Sequence, residues 1–393
     1  MKPVIVIVLL LLFISTTFTT GRVVLPSVVA EREWKLGDRI VPGPLPPDHR
    51  VERPTLLRHI DIEYGSHKHQ KLDFFKPSIC RDQDVPLAVF IHGGGFKSGD
   101  KGGLIRSPVM IMLSQLGFAT ASINYRLCPE AKMPVQIQDC KLAIRYLRVH
   151  AKDLGFNPDR IGLWGSSAGG HLVNIICTAD DNDGLEGEGY LEYSSGVSAV
   201  VGWFGSNDFT TMFNQIDRNR ALAHIECLFG KSSIEECYDL AYSTSPIAYV
   251  SEDDPPLMLI HGDRDDVVPY AQATQMVKET YESGSNCVLI CANNGTHGFR
   301  PSDKNKPIEP SFEEICGLTV AHLARYLEPE LLGDLNMDGA INIMDMFEFA
   351  QVFGMKGTDE NGKPASDAWN PLADLNPDGR IDIDDWKLLL SIF

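Results

Sequence analysis

The chain has 393 residues, of which 44% are hydrophobic and 22% charged, a composition typical of a globular protein and inconsistent with disorder throughout. Its formal net charge of -18 argues against a nucleic-acid partner, and no long basic run occurs anywhere in the chain. The length allows one large domain and a second, smaller one.

The first residues have the pattern of an export signal. Lys2 precedes an apolar run over residues 4–14, which is too short to span a bilayer but has the length of a signal-peptide core. We predict a signal peptide over 1–30, with cleavage after Ala30 or near Gly21, and hence a secreted or cell-surface protein without a membrane span after cleavage. Residues 31–54 are polar and rich in proline, which predicts a linker.

Apolar runs typical of strands alternate with helical patterns through residues 55–330. The strand signals lie at 58–64, 71–75, 87–91, 119–124, 161–164, 197–204, 256–260 and 287–291, and the clearest helical patterns at 135–154, 170–177 and 310–327. Fully apolar runs are typical of strands buried on both faces. The alternation therefore predicts an α/β domain over 55–330, with a mainly parallel central sheet and helices on both faces.

One short motif stands between a strand signal and a helical pattern. Residues 165–169 read Gly-Ser-Ser-Ala-Gly, the G-x-S-x-G form of a sharp strand-to-helix turn that exposes one hydroxyl group. Ser167 has glycine two residues away on both sides, whereas Ser166 would need a glycine where Trp164 stands. The register therefore selects Ser167 as the candidate nucleophile.

Three further loops supply partners for a serine nucleophile, and each follows a predicted strand. The run His-Gly-Gly-Gly-Phe at 92–96 allows the N–H groups of Gly94 and Gly95, with that of Ala168, to stabilise an oxyanion. The loop at 261–269 offers Asp263, Asp265 and Asp266 as the acid, and the loop at 294–299 offers His297 as the base. The order serine, acid, histidine and the strand-end positions favour acyl transfer through a catalytic triad.

Over about residues 55–328 the chain resembles α/β-hydrolase esterases of the hormone-sensitive-lipase type, and more closely the bacterial acetyl-xylan and feruloyl esterase group. The matching stretches are HGGGF at 92–96, NYRL at 124–127, NPDRIGLWGSSAGGHL at 157–172, HGDRDDVVP at 261–269 and THGF at 296–299. The resemblance implies Asp265 as the acid, since two residues separate it from Val-Pro, and His297 as the base. It assigns His171 and His261 to structural parts of the motifs. No cofactor is expected for catalysis.

The chain contains nine cysteines, so an exported protein would retain at least one free thiol. Cys227 and Cys237 are candidates for a local disulfide. Cys287 and Cys291 lie four residues apart in a strand-like run, too far apart on one face for a bridge. We expect most of the nine to be small buried apolar side chains.

The tail from residue 331 has a different composition and an internal repeat, with 12 acidic against 4 basic residues. Two loops place oxygen side chains at positions 1, 3, 5, 9 and 12 and glycine at position 6, the pattern of a calcium loop with a backbone carbonyl at position 7. The predicted ligands are Asp334, Asn336, Asp338, Ala340, Asn342 and Asp345 in the first loop, and Asp374, Asn376, Asp378, Arg380, Asp382 and Asp385 in the second.

Aspartate at position 12 and one helix after each loop make residues 331–393 resemble a type I dockerin, a small all-α module that binds two Ca²⁺ ions and a cohesin domain on a scaffold protein. A purely structural calcium-stiffened tail is the alternative. Together the two resemblances imply a secreted serine carboxylesterase acting on acetyl or feruloyl esters of polysaccharide. The alternatives are a lipase or general short-chain esterase, and a catalytically silent binding protein on the same fold.

Overall fold

The computed structural model describes residues 55–81 and 83–329. The predicted signal peptide over 1–30, the linker over 31–54 and the calcium-loop tail over 331–393 lie outside the described residues. Within them, no helix is both long enough and apolar enough to cross a membrane.

In the part of the chain that the structure describes, eight strands form one sheet. They are β1 (Leu56–Glu63), β2 (Lys71–Pro77), β3 (Val85–Ile91), β4 (Ala119–Ile123), β5 (Phe156–Ser166), β6 (Ala199–Trp203), β7 (Leu257–Gly262) and β8 (Cys287–Ala292). Their order across the sheet is β1-β2-β4-β3-β5-β6-β7-β8. β2 pairs antiparallel with β1 and with β4, and every pair from β4 to β8 is parallel. The predicted mainly parallel sheet is therefore confirmed.

Nine α-helices lie within the described residues. They are α1 (Pro108–Gln115), α2 (Val135–Val149), α3 (Ala151–Leu154), α4 (Ala168–Thr178), α5 (Phe209–Gln215), α6 (Arg218–Phe229), α7 (Tyr238–Ser243), α8 (Ala271–Ser283) and α9 (Phe312–Leu327). Short 3-10 turns occupy Ser78–Cys80, Lys101–Arg106, Glu235–Cys237 and Pro246–Ala248. The pattern over 135–154 gives two helices rather than one, because the chain leaves helical geometry at His150.

Helices cover both faces of the sheet, as the alternation of strands and helices predicts. α1 packs against α9 on one face, while α2 packs against α4 on the other. The central strands β4, β6 and β7 are buried along their whole length, which explains why their sequences are nearly continuous apolar runs. The resulting core holds the carboxyl ends of β3, β5, β7 and β8 in one place, where the loops after them meet.

The structure corrects the predicted disulfide. Cys227 bonds to Cys128, 99 residues away in sequence, with 5.5 Å between the two Cα atoms. Cys237 is buried and free, and Cys287 and Cys291 are half-buried and also free, as expected from their spacing on β8. A pairing over so long a separation leaves no local trace in the sequence, because tertiary packing alone brings α6 beside the loop after β4.

Candidate active site

Ser167 lies in the turn between β5 and α4, with backbone angles φ 56° and ψ -117°. This is a strained conformation for a residue with a side chain, and it is typical of a nucleophile held at a sharp strand-to-helix turn. The Ser167 N–H donates to the carbonyl oxygen of Trp203 at 2.9 Å, which ties the turn to the end of β6. The structure therefore places the predicted nucleophile where its hydroxyl group is presented at the carboxyl edge of the sheet.

Both glycines of the motif are required by close backbone contacts. A Cβ atom on Gly165 would lie 2.4 Å from the carbonyl oxygen of Gly169, and one on Gly169 would lie 2.0 Å from that of Ile91. Neither separation is tolerated by real side chains, so any larger residue would push α4 away from β3. The glycines two residues before and two residues after Ser167 are thus required by packing, which supports the choice of Ser167 over Ser166 as the predicted nucleophile.

A continuous hydrogen-bonded relay joins the three predicted catalytic residues. His297 Nε2 lies 2.9 Å from Ser167 Oγ, and His297 Nδ1 lies 2.8 Å from Asp265 Oδ2. Because an ionised carboxylate can only accept, Nδ1 carries the proton and Nε2 is free to accept the serine hydroxyl. The residues come from loops after β5, β7 and β8, so the fold brings together groups up to 130 positions apart.

Asp265 is the acid of the relay, and its side chain is completely buried. Its Oδ1 accepts the N–H groups of Val267 at 2.8 Å and Val268 at 2.9 Å. Burial raises the pKa of Asp265, but hydrogen bonds and charge interactions with His261 and His297 outweigh it, so the pKa lies well below its usual range. The carboxylate is therefore ionised whenever the protein is folded at neutral pH.

His261 has a structural role beside this acid. Its Nε2 lies 2.8 Å from the Val268 carbonyl oxygen and 3.3 Å from Asp265 Oδ2, so it spans the turn that presents the carboxylate. His171 is also structural, since it is buried against the ring of Phe209 with Nδ1 at 2.9 Å from the Ser206 carbonyl oxygen. Burial lowers the pKa of His171 to about 4, so this ring is neutral.

The glycine loop after β3 lies directly against the nucleophile. A Cβ atom on Gly93 would be 3.2 Å from Ser167 Cβ. Among the described residues, the N–H groups of Gly94, Gly95 and Ala168 donate no hydrogen bond, which is the condition a preorganised oxyanion site requires. The loop is fixed at its start, because the Tyr125 hydroxyl donates to the His92 carbonyl oxygen at 2.9 Å and the two rings stack.

Phe204 is a site residue that the motifs do not reveal. Its ring centroid lies 4.7 Å from that of His297 in an edge-to-face arrangement, and Phe299 packs on it at 4.7 Å. Phe204 has a positive φ of 39°, so the backbone turns out of β6 at this point. The ring limits the positions that the imidazole can take. In the sequence, Phe204 is marked only by its position as the last residue of the apolar run over 197–204.

Helix α6, which is not among the helical patterns named from the sequence, links the loops that carry the acid and the oxyanion groups. Arg220 Nη1 donates to the Asp266 carbonyl oxygen at 2.7 Å, and Lys97 Nζ donates to the Ala223 carbonyl oxygen at 3.2 Å. The Cys128–Cys227 disulfide fixes its other end. The predicted calcium ligands belong to the tail outside the described residues.

Comparison with known proteins gives one matching family model, described as BD-FAE, over residues 72–280. Among curated proteins, the probable carboxylic ester hydrolase LipM of Mycobacterium tuberculosis is 31% identical over 56% of this chain and 51% of its own length. Esterase LipQ of the same organism is 28% identical over 70% of this chain and 63% of its own length. The chain thus spans less than two thirds of these relatives.

Solved structures share the architecture. A truncated form of a carbohydrate esterase from gut microbiota is 29% identical, covers 72% of this chain and 99% of its own, and superposes with a TM-score of 0.59. Esterase Est2 of Thermogutta terrifontis covers 70% of this chain and 95% of its own at 22% identity, with a TM-score of 0.54. The chain therefore has an α/β-hydrolase-like fold.

Proposed function

The chain belongs to the BD-FAE family, and from that premise we propose that it is a serine hydrolase of carboxylic esters. The observation that carries the proposal is the unbroken relay from Ser167 Oγ through His297 to Asp265, beside three backbone N–H groups that donate to no acceptor in the described part of the chain. Esterases among its relatives support the same reaction. An inert binding protein would have no need to keep Ser167 in a strained backbone conformation.

In the proposed reaction Ser167 Oγ attacks the ester carbonyl carbon while His297 Nε2 takes the hydroxyl proton. Asp265 keeps the proton of the other ring nitrogen in place and stabilises the imidazolium that forms. The N–H groups of Gly94, Gly95 and Ala168 stabilise the tetrahedral oxyanion. His297 then protonates the departing alcohol, and water, activated by the same imidazole, hydrolyses the acyl-enzyme.

We propose acetyl or feruloyl esters of polysaccharide as the substrates, a choice supported by the carbohydrate esterase from gut microbiota among the structural relatives. The test is a panel of 4-nitrophenyl esters from acetate to palmitate, together with acetylated xylan and methyl ferulate. We expect turnover of the acetate, of acetylated xylan or of methyl ferulate, and a steep loss of rate beyond short acyl chains. A maximum at palmitate would indicate a lipase instead, and no turnover of any ester would contradict the esterase proposal.

We further propose a secreted or cell-surface protein whose tail over 331–393 binds two Ca²⁺ ions and docks on a cohesin domain of a scaffold protein. The signal-like N-terminus supports export. The Cys128–Cys227 disulfide supports it independently, because such bonds persist mainly in oxidising compartments. A tether of this kind suits an enzyme that acts on an insoluble polymer.

Calcium binding is tested on the full chain by calorimetric titration after treatment with a chelator. We expect two ions per chain, and loss of both in the double variant Asp345→Ala, Asp385→Ala, because each loop then lacks its position-12 carboxylate. The matched control is Asp359→Ala with Asp367→Ala, which removes two acids of the tail outside the loops and leaves binding intact. Absence of calcium binding to the unaltered chain would contradict the proposal.

A further inference from the structure

Three basic side chains that the hydrolytic steps do not use lie beside the loops that carry the oxyanion groups and the catalytic acid. They come from two elements: Lys97 follows the oxyanion loop, while Arg220 and His224 lie one turn apart on the same side of α6. The His224 ring is close to the oxyanion loop, with its Cε1 atom 3.6 Å from the position of a Cβ on Gly95. Helix α6 thus brings basic groups to the place where the ester carbonyl would bind.

Both long side chains are held at this position by backbone carbonyl groups. Arg220 reaches the carbonyl oxygen of Asp266, the residue after the catalytic acid, and Lys97 reaches that of Ala223 on α6. Among the described residues, no carboxylate lies within salt-bridge distance of Lys97 or Arg220. Their positive charges are therefore not neutralised by a direct ion pair in that part of the chain.

Two of the acidic neighbours already have other hydrogen-bond partners. Asp217 caps α6 by accepting hydrogen bonds from the N–H groups of Asn219 and Arg220. Asp265 accepts a hydrogen bond from His297 in the relay. Burial lowers the pKa of His224, and the positive charges of Lys97 and Arg220 lower it further, so the ring is neutral at pH 7 and the local positive field comes from Lys97 and Arg220. This local field is opposite in sign to the net charge of -18 carried by the whole chain.

We propose that Lys97, Arg220 and His224 form a subsite for a carboxylate carried by the ester substrate. This inference rests on the proposed esterase function and narrows its substrate class to esters with an acidic group close to the scissile bond. A guanidinium group and an ammonium group together suit a carboxylate, because the planar group offers paired donors and the second adds a point charge. Such a carboxylate can belong to the alcohol part, as in an acetylated uronic acid, or to the acyl part, as in a succinate monoester.

Two matched ester pairs distinguish these sources. Acetylated methyl glucuronoside and acetylated methyl glucoside differ in the carboxylate of the alcohol part, while 4-nitrophenyl hydrogen succinate and 4-nitrophenyl butyrate differ in that of the acyl part. For the unaltered full chain at low ionic strength, we expect kcat/KM for the acidic ester to exceed that for the neutral one by about tenfold in one pair. The preference should shrink as salt is added, because screening weakens exposed charges.

Variants then assign the preference to the subsite. Arg220→Gln and Lys97→Gln should each lower the acidic-to-neutral ratio by about fivefold, and Arg220→Lys should lower it less, since it keeps the charge but loses the paired donors. Arg218→Gln, an exposed arginine on the same helix, is the control and should leave the ratio unchanged. The subsite proposal is overturned if kcat/KM is nearly the same for the acidic and the neutral ester in both pairs. It is also overturned if neither glutamine variant changes the acidic-to-neutral ratio. Failure to hydrolyse any ester would instead overturn the proposed function.

Discussion

Replacing Ser167 with alanine is expected to lower kcat for ester hydrolysis by at least about 10⁴-fold while leaving the protein folded. The change removes the oxygen that lies 2.9 Å from His297 Nε2 and would form the acyl-enzyme. Only one small polar atom is lost, and the positive φ of the residue strains alanine as it strains serine. The melting temperature should therefore change little. Activity is measured with 4-nitrophenyl acetate, and folding with thermal unfolding by circular dichroism.

Ser166→Ala is the matched control, because the two serines are adjacent and only their register against the glycines distinguishes them. It should retain activity within about threefold, since the Ser166 hydroxyl lies outside the relay and its loss leaves the reacting atoms in place. A fluorophosphonate probe should label the unaltered chain and Ser166→Ala but not Ser167→Ala. Labelling of the Ser167 variant, or near-normal turnover by it, would remove the proposed nucleophile.

The three residues of the proposed triad could be predicted from the sequence because each leaves a local signal. Ser167 lies between two glycines, His297 follows the last strand signal, and both sit in short loops at strand ends. Parallel strands place such loops along one edge, so order along the chain is enough to bring them together. The choice of Asp265 among three acids needed the family resemblance, because spacing alone left the alternatives equal.

Residues that act through tertiary packing left no such signal. Phe204 contacts His297 only because β6 lies beside β7 and the backbone turns with positive φ. Helix α6 has a capping Asp217 and a terminating Gly230 in its sequence, but its place over the oxyanion loop depends on tertiary contacts such as the Cys128–Cys227 bond, which no local pattern shows. Sequence patterns therefore predict the residues of the proposed triad, but they do not predict which residues surround them.

Asp265→Asn is expected to lower kcat by about 10³- to 10⁴-fold with little change in the fold at the site. The asparagine oxygen can still accept the N–H groups of Val267 and Val268, which keeps the turn in place. The amide nitrogen would face His297 Nδ1, so the ring keeps its proton on Nε2 and no longer accepts the serine hydroxyl. Asp266→Asn is the control, because that exposed side chain lies outside the relay, and it should keep near-normal kcat.

The Asp265→Asn variant should also differ from the unaltered chain in how its stability depends on pH. Because the folded-state pKa of Asp265 lies below that of an unfolded aspartate, its ionised form stabilises the folded state at neutral pH. That contribution is complete above the unfolded pKa of about 4 and is lost as the pH falls toward the folded value. The melting temperature of Asp265→Asn should therefore lie below that of the unaltered chain at pH 7, and the gap should narrow below about pH 4. If the difference in melting temperature widens in acid, the carboxylate is not stabilised by its partners. Near-normal kcat in Asp265→Asn would exclude Asp265 as the residue that orients His297.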